Sequence, residues 1–141
     1  MSLNTGRKKA LKIVLDGHNL VLLGAAGTGK SHLVRVIKEH CEKKHKRCAI
    51  TATTGIACSV YPPDFCAMTI HRWSGIGDGR YSPKEISNII HNNVKYVEVL
   101  DRIKNTDVLV VEECSLTSLR LMECLHEVCC LKDPSLYFGV I

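Results

Sequence analysis

The strongest chemical signal in the chain is the run Gly24, Ala25, Ala26, Gly27, Thr28, Gly29, Lys30 and Ser31. It fits the pattern GxxxxGK[ST] at every position. Glycine lets successive backbone N–H groups turn toward one point, and the N-terminus of a following helix adds partial positive charge. Such a ring of donors binds phosphate. Lys30 is then placed to reach the β- and γ-phosphates of a nucleoside triphosphate, and the Ser31 hydroxyl to meet Mg²⁺.

A second signal lies far along the chain. Asp107 is followed by Val108, Leu109, Val110 and Val111, then by Glu112 and Glu113. Acids at the C-terminal end of a buried strand sit where open parallel sheets bind their ligands. Beside a phosphate loop, one acid would hold Mg²⁺ through water. The next would orient the water that attacks the γ-phosphate.

These residues need a scaffold of strands and helices in alternation. Residues 5–15 read as a helix with Thr5 as a cap and Ala10, Ile13 and Val14 on one face, ended by Gly17. Residues 19–23 read as a short apolar strand leading into the loop. Residues 31–44 form a second helix, with Leu33, Val36, Ile37, His40 and Cys41 as its stripe. A second strand covers 47–51. Residues 61–81 read as a long loop holding two prolines and three glycines. Helical material is expected over 82–92, with Ile86, Ile89 and Ile90 inward, and over 94–103. A buried strand at 107–111 and a closing helix at 116–130 complete the order, and residues 135–141 look like the start of another strand. Apolar strands joined by helical crossovers suit a parallel sheet covered on two sides, an α/β fold.

Composition sets the outer bounds. A chain of 141 residues is one domain rather than two. Hydrophobic residues at 45% and charged residues at 23% argue for a globular domain and against disorder. No apolar run approaches the ~20 residues of a membrane span, so no membrane partner is expected, and the polar N-terminus is not a secretory signal. The net charge of +5 permits a polyanionic partner. Much of it sits in Lys43, Lys44, Lys46 and Arg47, a run that also suits a solvated helix end. The eight cysteines (41, 48, 58, 66, 114, 124, 129 and 130) contain no CxxC. They read as free thiols of a reducing intracellular compartment: nucleus or mitochondrion in a eukaryote, cytoplasm otherwise. The pairs Cys41/His45 and His126/Cys130 are four apart, yet no four ligands have zinc-like spacing. Adjacent Cys129 and Cys130 would respond to oxidation if exposed.

Four blocks taken together resemble the first half of the Pif (petite integration frequency) DNA helicases, superfamily 1 motors that move 5′ to 3′ on single strands. The blocks are residues 24–31; Thr51-Ala-Thr-Thr-Gly-Ile-Ala57; Thr69-Ile-His-Arg-Trp-Ser-Gly-Ile-Gly77; and Asp107-Val-Leu-Val-Val-Glu-Glu-Cys-Ser115. The resemblance implies a P-loop NTPase with a RecA-like sheet. The chain would be the first ATPase domain of such a helicase over residues 1–141, incomplete at its C-terminus. It implies ATP and Mg²⁺ as ligands, single-stranded DNA and further helicase domains as partners, and work in repair, recombination, telomere or genome maintenance. Lys30 and Glu113 would be catalytic, and Ser31 and Glu112 would serve the metal. Thr53, Thr54 and Gly55 fall in the block that contacts the DNA strand in such helicases. By residue type alone, the two threonines are equally ordinary β-formers at a strand end. His71 and Trp73 are open between a DNA contact and a packed loop anchor.

The chain departs from the family at several positions. Glu112 stands where the family has Asp, and its extra methylene moves the carboxylate. Arg7 stands where the family has a glutamine that reads adenine; arginine has donors but no acceptor. Cys114 and Thr117 replace apolar residues. With no second motor domain in these residues, the 141-residue chain is not expected to unwind DNA. The competing readings are a catalytically weak nucleotide- and DNA-binding remnant or interaction module, and a small P-loop kinase. The kinase would leave the second and third blocks unexplained.

Overall fold

The computed structural model describes residues 5–17, 19, 20, 30–112 and 118–133. They fall into two compact units that meet in the chain between Cys48 and Ala49.

In the first unit, helix α1 (Thr5–Leu15) buries Ala10 and packs against α2 (Lys30–Lys43). Helix α2 buries Leu33, Val34, Ile37 and Cys41, the i, i+4, i+8 row of an amphipathic helix with one flanking position. The basic run ends this helix. His45 takes a left-handed backbone at φ 57°. Its N–H donates to Glu42 O at 3.1 Å, and the Lys46 N–H donates to Cys41 O at 2.8 Å. That pairing satisfies carbonyls the last turn would otherwise leave open. Residues 42–47 are exposed, so the run is the solvated helix end its composition suggested. The Lys38 ammonium donates to Cys48 O at 2.9 Å and ties α2 to the start of the next strand.

Among the described residues that strand, β1 (Cys48–Ala52), is the centre of a three-stranded sheet of order β2-β1-β3, with β2 at Met68–Thr69 and β3 at Val108–Glu112. β1 and β2 are parallel, with Thr51 opposite Met68 and Ala52 opposite Thr69. A central strand has neighbours on both sides, and four of its five residues are buried. β3 is half-buried throughout, not buried as its apolar run suggested; among the described residues only β1 flanks it. Thr51, fully buried, donates its hydroxyl to Val110 O at 2.7 Å and so joins β1 to β3 through a side chain.

Several of the remaining helices of the second unit carry side-chain caps. Thr54 caps α3 (Gly55–Cys58), Thr69 caps α4 (Ile70–Ser74), and Ser118 caps α7 (Leu119–Cys129). Helix α5 (Pro83–Asn92) opens with Pro83 and a full capping box between Ser82 and Glu85. A 3-10 turn at Val94–Tyr96 leads into α6 (Val97–Asn105). Ile86, Ile90, Ile103, Leu125 and Val128 are each at most 2% exposed and form the core between α5, α6 and α7. Residues 61–81 are therefore not one loop: they hold a 3-10 turn (Pro63–Phe65), β2 and α4. The expected strand residues 21–23, the strand at 135–141 and residues 116 and 117 of the closing helix lie outside the described residues; Asn19 and Leu20 are in no regular element. Among the described residues, no helix is long and apolar enough to cross a membrane.

Candidate nucleotide-binding site

Of the phosphate-loop residues, Gly24, Ala25, Ala26, Gly27, Thr28 and Gly29 lie outside the described residues, as do Glu113 and Cys114. Lys30 and Ser31 are the first two residues of α2. The helix thus begins where the loop pattern requires, with its unsatisfied N–H groups and positive dipole end at Lys30 and Ser31. Lys30 is half-buried and Ser31 exposed.

Glu112 is the last residue of β3, at the strand's C-terminal end. Its Oε1 accepts a hydrogen bond from the hydroxyl of Tyr61, a residue 51 positions earlier in the chain. Tyr61 is itself buried, and its ring stacks with Phe65 at a centroid separation of 6.1 Å and an interplanar angle of 22°. The Cys58 thiol feels the charge of the same carboxylate. Burial first, and then the Glu112 charge, push its thiol up, against a lowering hydrogen bond with the Ala52 backbone. The segment from α3 to the Pro63–Phe65 turn therefore wraps the side chain that ends β3. No feature of the sequence near Tyr61 pointed to this contact.

The donor set suits magnesium. The Glu112 carboxylate, with one oxygen held by Tyr61, is a hard oxygen donor of the kind Mg²⁺ prefers, and so, in the first unit, is the Ser31 hydroxyl in the first turn of α2. Among the described residues, no group of three or more His, Cys, Asp or Glu forms a metal cluster of its own.

The block around Thr53 mixes a buried hydroxyl with exposed positions at Thr54 and Gly55. The Thr53 hydroxyl is buried and, among the described residues, has no hydrogen-bond partner. Thr54 uses its oxygen to accept from the Ala57 N–H at 3.3 Å, which leaves its own proton available. A Cβ built on Gly55 would meet nothing within 4 Å, and its φ is not left-handed. Neither sterics nor conformation inside the protein requires glycine there.

The third block is different. Trp73 is 3% exposed, in the core, so it is the packed anchor and its ring has no open face for a base. Ser74, fully buried, donates to Ile70 O at 2.6 Å and accepts from the Ile76 N–H at 3.3 Å. The Gly77 N–H donates to His71 O at 3.3 Å. His71 is half-buried on α4. The Arg102 guanidinium crosses from α6 to donate to Arg72 O at 3.0 Å. Arg7, at the adenine-reading position of the resemblance, is half-buried in α1.

The AAA domain family matches this chain over residues 2–135. The chain belongs to that family. Within it, the chain is similar over most of its length to Pif1 helicases. It is 34% identical over 128 residues to the ATP-dependent DNA helicase PIF1 of Candida albicans, a span of 89% of this chain and 13% of that protein. The corresponding helicase of Emericella nidulans is 36% identical over 128 residues, covering 86% and 16%. The crystal structure of the Candida albicans Pif1 helicase matches 94% of this chain and 29% of its own, with a TM-score of 0.77 at 33% identity. The α/β sheet thus belongs to a RecA-like P-loop domain. The chain spans about a sixth or less of the length of these two curated relatives.

Proposed function

We propose that this chain carries the ATP-binding part of a DNA helicase motor that moves 5′ to 3′ along single-stranded DNA. The observation that carries the reading is the likeness to a Pif1 helicase in both sequence and fold over 94% of the chain, whose sequence also holds the complete phosphate-loop pattern. In this reading residues 24–31 hold the triphosphate, with Lys30 on its terminal phosphates. Glu112 and Ser31 hold Mg²⁺, which when bound neutralises charge on the phosphate oxygens. Glu113 orients the attacking water and accepts its proton. The Thr54 hydroxyl and the open backbone at Gly55, beside Thr53, bind phosphates of a single strand without reading bases. His71 is a secondary strand contact. The remaining motor segments supply the second half of the cleft.

Calorimetry with ATP and Mg²⁺ tests the assignment. Lys30→Ala removes a charge-assisted contact to phosphate and is expected to weaken binding about 10- to 100-fold. Equal affinity in the two proteins would overturn the reading.

A further inference from the structure

Glu112 is one methylene longer than the aspartate that the resemblance places there, and a longer arm has more rotamers. Something must fix it if one oxygen is to face a metal. We infer that Tyr61 is the positioning residue for Glu112, and that its hydroxyl selects which carboxylate oxygen is presented to magnesium. The inference rests on the reading of Glu112 as the metal-side acid.

Three observations carry it. The Tyr61 hydroxyl donates to Glu112 Oε1, while among the described residues Oε2 accepts no hydrogen bond. The tyrosine is itself fixed: it is 6% exposed and stacked with Phe65, so the donor has little freedom to follow a wandering carboxylate. The strand that presents Glu112 is pinned two residues earlier, where Val110 O accepts from the buried Thr51. With backbone and one oxygen both held, the carboxylate rotation is set and Oε2 is the oxygen left for the cation or its water. A hydrogen bond to one oxygen of a ligating carboxylate is a general means of orienting it. A shorter side chain at 112 would end short of the Tyr61 hydroxyl, so the tyrosine and the longer acid act as a pair.

The test is a double-mutant cycle read by metal binding, not turnover. The 141-residue chain is titrated with Mn²⁺ in the presence of a non-hydrolysable β,γ-imido analogue of ATP, and free Mn²⁺ is counted by electron paramagnetic resonance. Analogue affinity without metal is measured alongside. Tyr61→Phe keeps the ring and its stacking and deletes only the hydroxyl. It is expected to weaken Mn²⁺ binding about three- to tenfold, the scale of one lost hydrogen bond, with metal-free analogue affinity unchanged. In a Glu112→Asp background the same change is expected to do less than about twofold, because the shorter acid no longer meets residue 61. A merely structural tyrosine would lower both backgrounds alike, and that result would overturn the inference. So would a Tyr61→Phe chain with parental Mn²⁺ affinity. If the parent binds the analogue but gains no affinity for Mn²⁺ from it, the metal-side reading of Glu112 fails and takes this inference with it.

Discussion

The same substitution at two glycines is expected to have opposite effects, because the structure gives them opposite reasons for being glycine. Gly75 ends α4 with φ 77° and ψ 2°. An alanine there would adopt a left-handed backbone at a cost of roughly 1–2 kcal/mol. Its Cβ would lie 3.0 Å from Val99 Cγ1, 3.2 Å from Ile90 Cδ1 and 3.4 Å from Tyr96 Cδ1. All three are side-chain atoms that can give way, so the crowding falls at the low end of overpacking, about 1 kcal/mol. The sum for Gly75→Ala is a loss of about 2–3 kcal/mol. Gly55 is helical and its Cβ would meet nothing, so Gly55→Ala restricts the unfolded chain and gains about 0.5–1 kcal/mol. Both residues lie in the unit that begins at Ala49, so they report on one transition. Urea denaturation at a shared slope should place the two midpoints on either side of the parent. In melting temperature, Gly75→Ala should lose roughly 5–10 °C. Equal shifts, or a Gly55→Ala protein as damaged as Gly75→Ala, would refute the account of both turns.

Function and stability should separate at the same residue. Gly55→Ala is expected to weaken single-stranded DNA binding several-fold in fluorescence anisotropy despite raising stability; parental affinity would remove Gly55 from the strand interface. Binding of the parent should fall with salt at a slope near −0.7 per phosphate contacted and should not depend on base sequence; affinity indifferent to salt would contradict backbone recognition. Glu113→Gln should abolish ATP turnover by any assembly containing this chain while ATP still binds, and unchanged turnover would assign the base elsewhere. The Asp78 carboxyl, held by hydrogen bonds from the Arg80 guanidinium and backbone, should titrate below the ordinary aspartate value of 3.8. Its small stabilising effect is present above the unfolded pKa and lost as pH falls through the lowered one. A carbon-detected titration in which Arg80→Ala leaves the midpoint unmoved would disprove the cause.

Helix α1 was legible in its extent, Thr5–Leu15, but not in its details: Thr5 is its first residue rather than a cap, and of the expected face Ala10 is buried while Ile13 is 37% exposed. Helix α5 was legible through its apolar face, which the capping box of Ser82 and Glu85 reinforces. Residues 61–81 were not legible. Helix α4 has five residues and β2 has two, too few for either period to repeat. The position of Trp73 could not be read from its neighbours, since a tryptophan in a Gly-rich stretch is as compatible with a surface as with a core. The position of Glu112 at a strand end was legible from the apolar run that precedes it. Its partner Tyr61 was not, because contacts between residues 51 positions apart are made by the sheet and leave no trace in local spacing.

The buried thiols give the molecule a pair of internal clocks. Cys41 and Cys48 are sealed in the first unit, Cys124 and Cys129 in the second. Burial pushes the thiols of Cys48 and Cys129 up to about 12, so at pH 7 roughly one molecule in 10⁵ carries either as the reactive thiolate. Alkylation must wait until the surrounding structure opens, whereas Cys66 is exposed and marks the start of the reaction. Peptide-resolved labelling over time would therefore record how often each half of the chain breathes, and whether a bound nucleotide slows one rhythm or both.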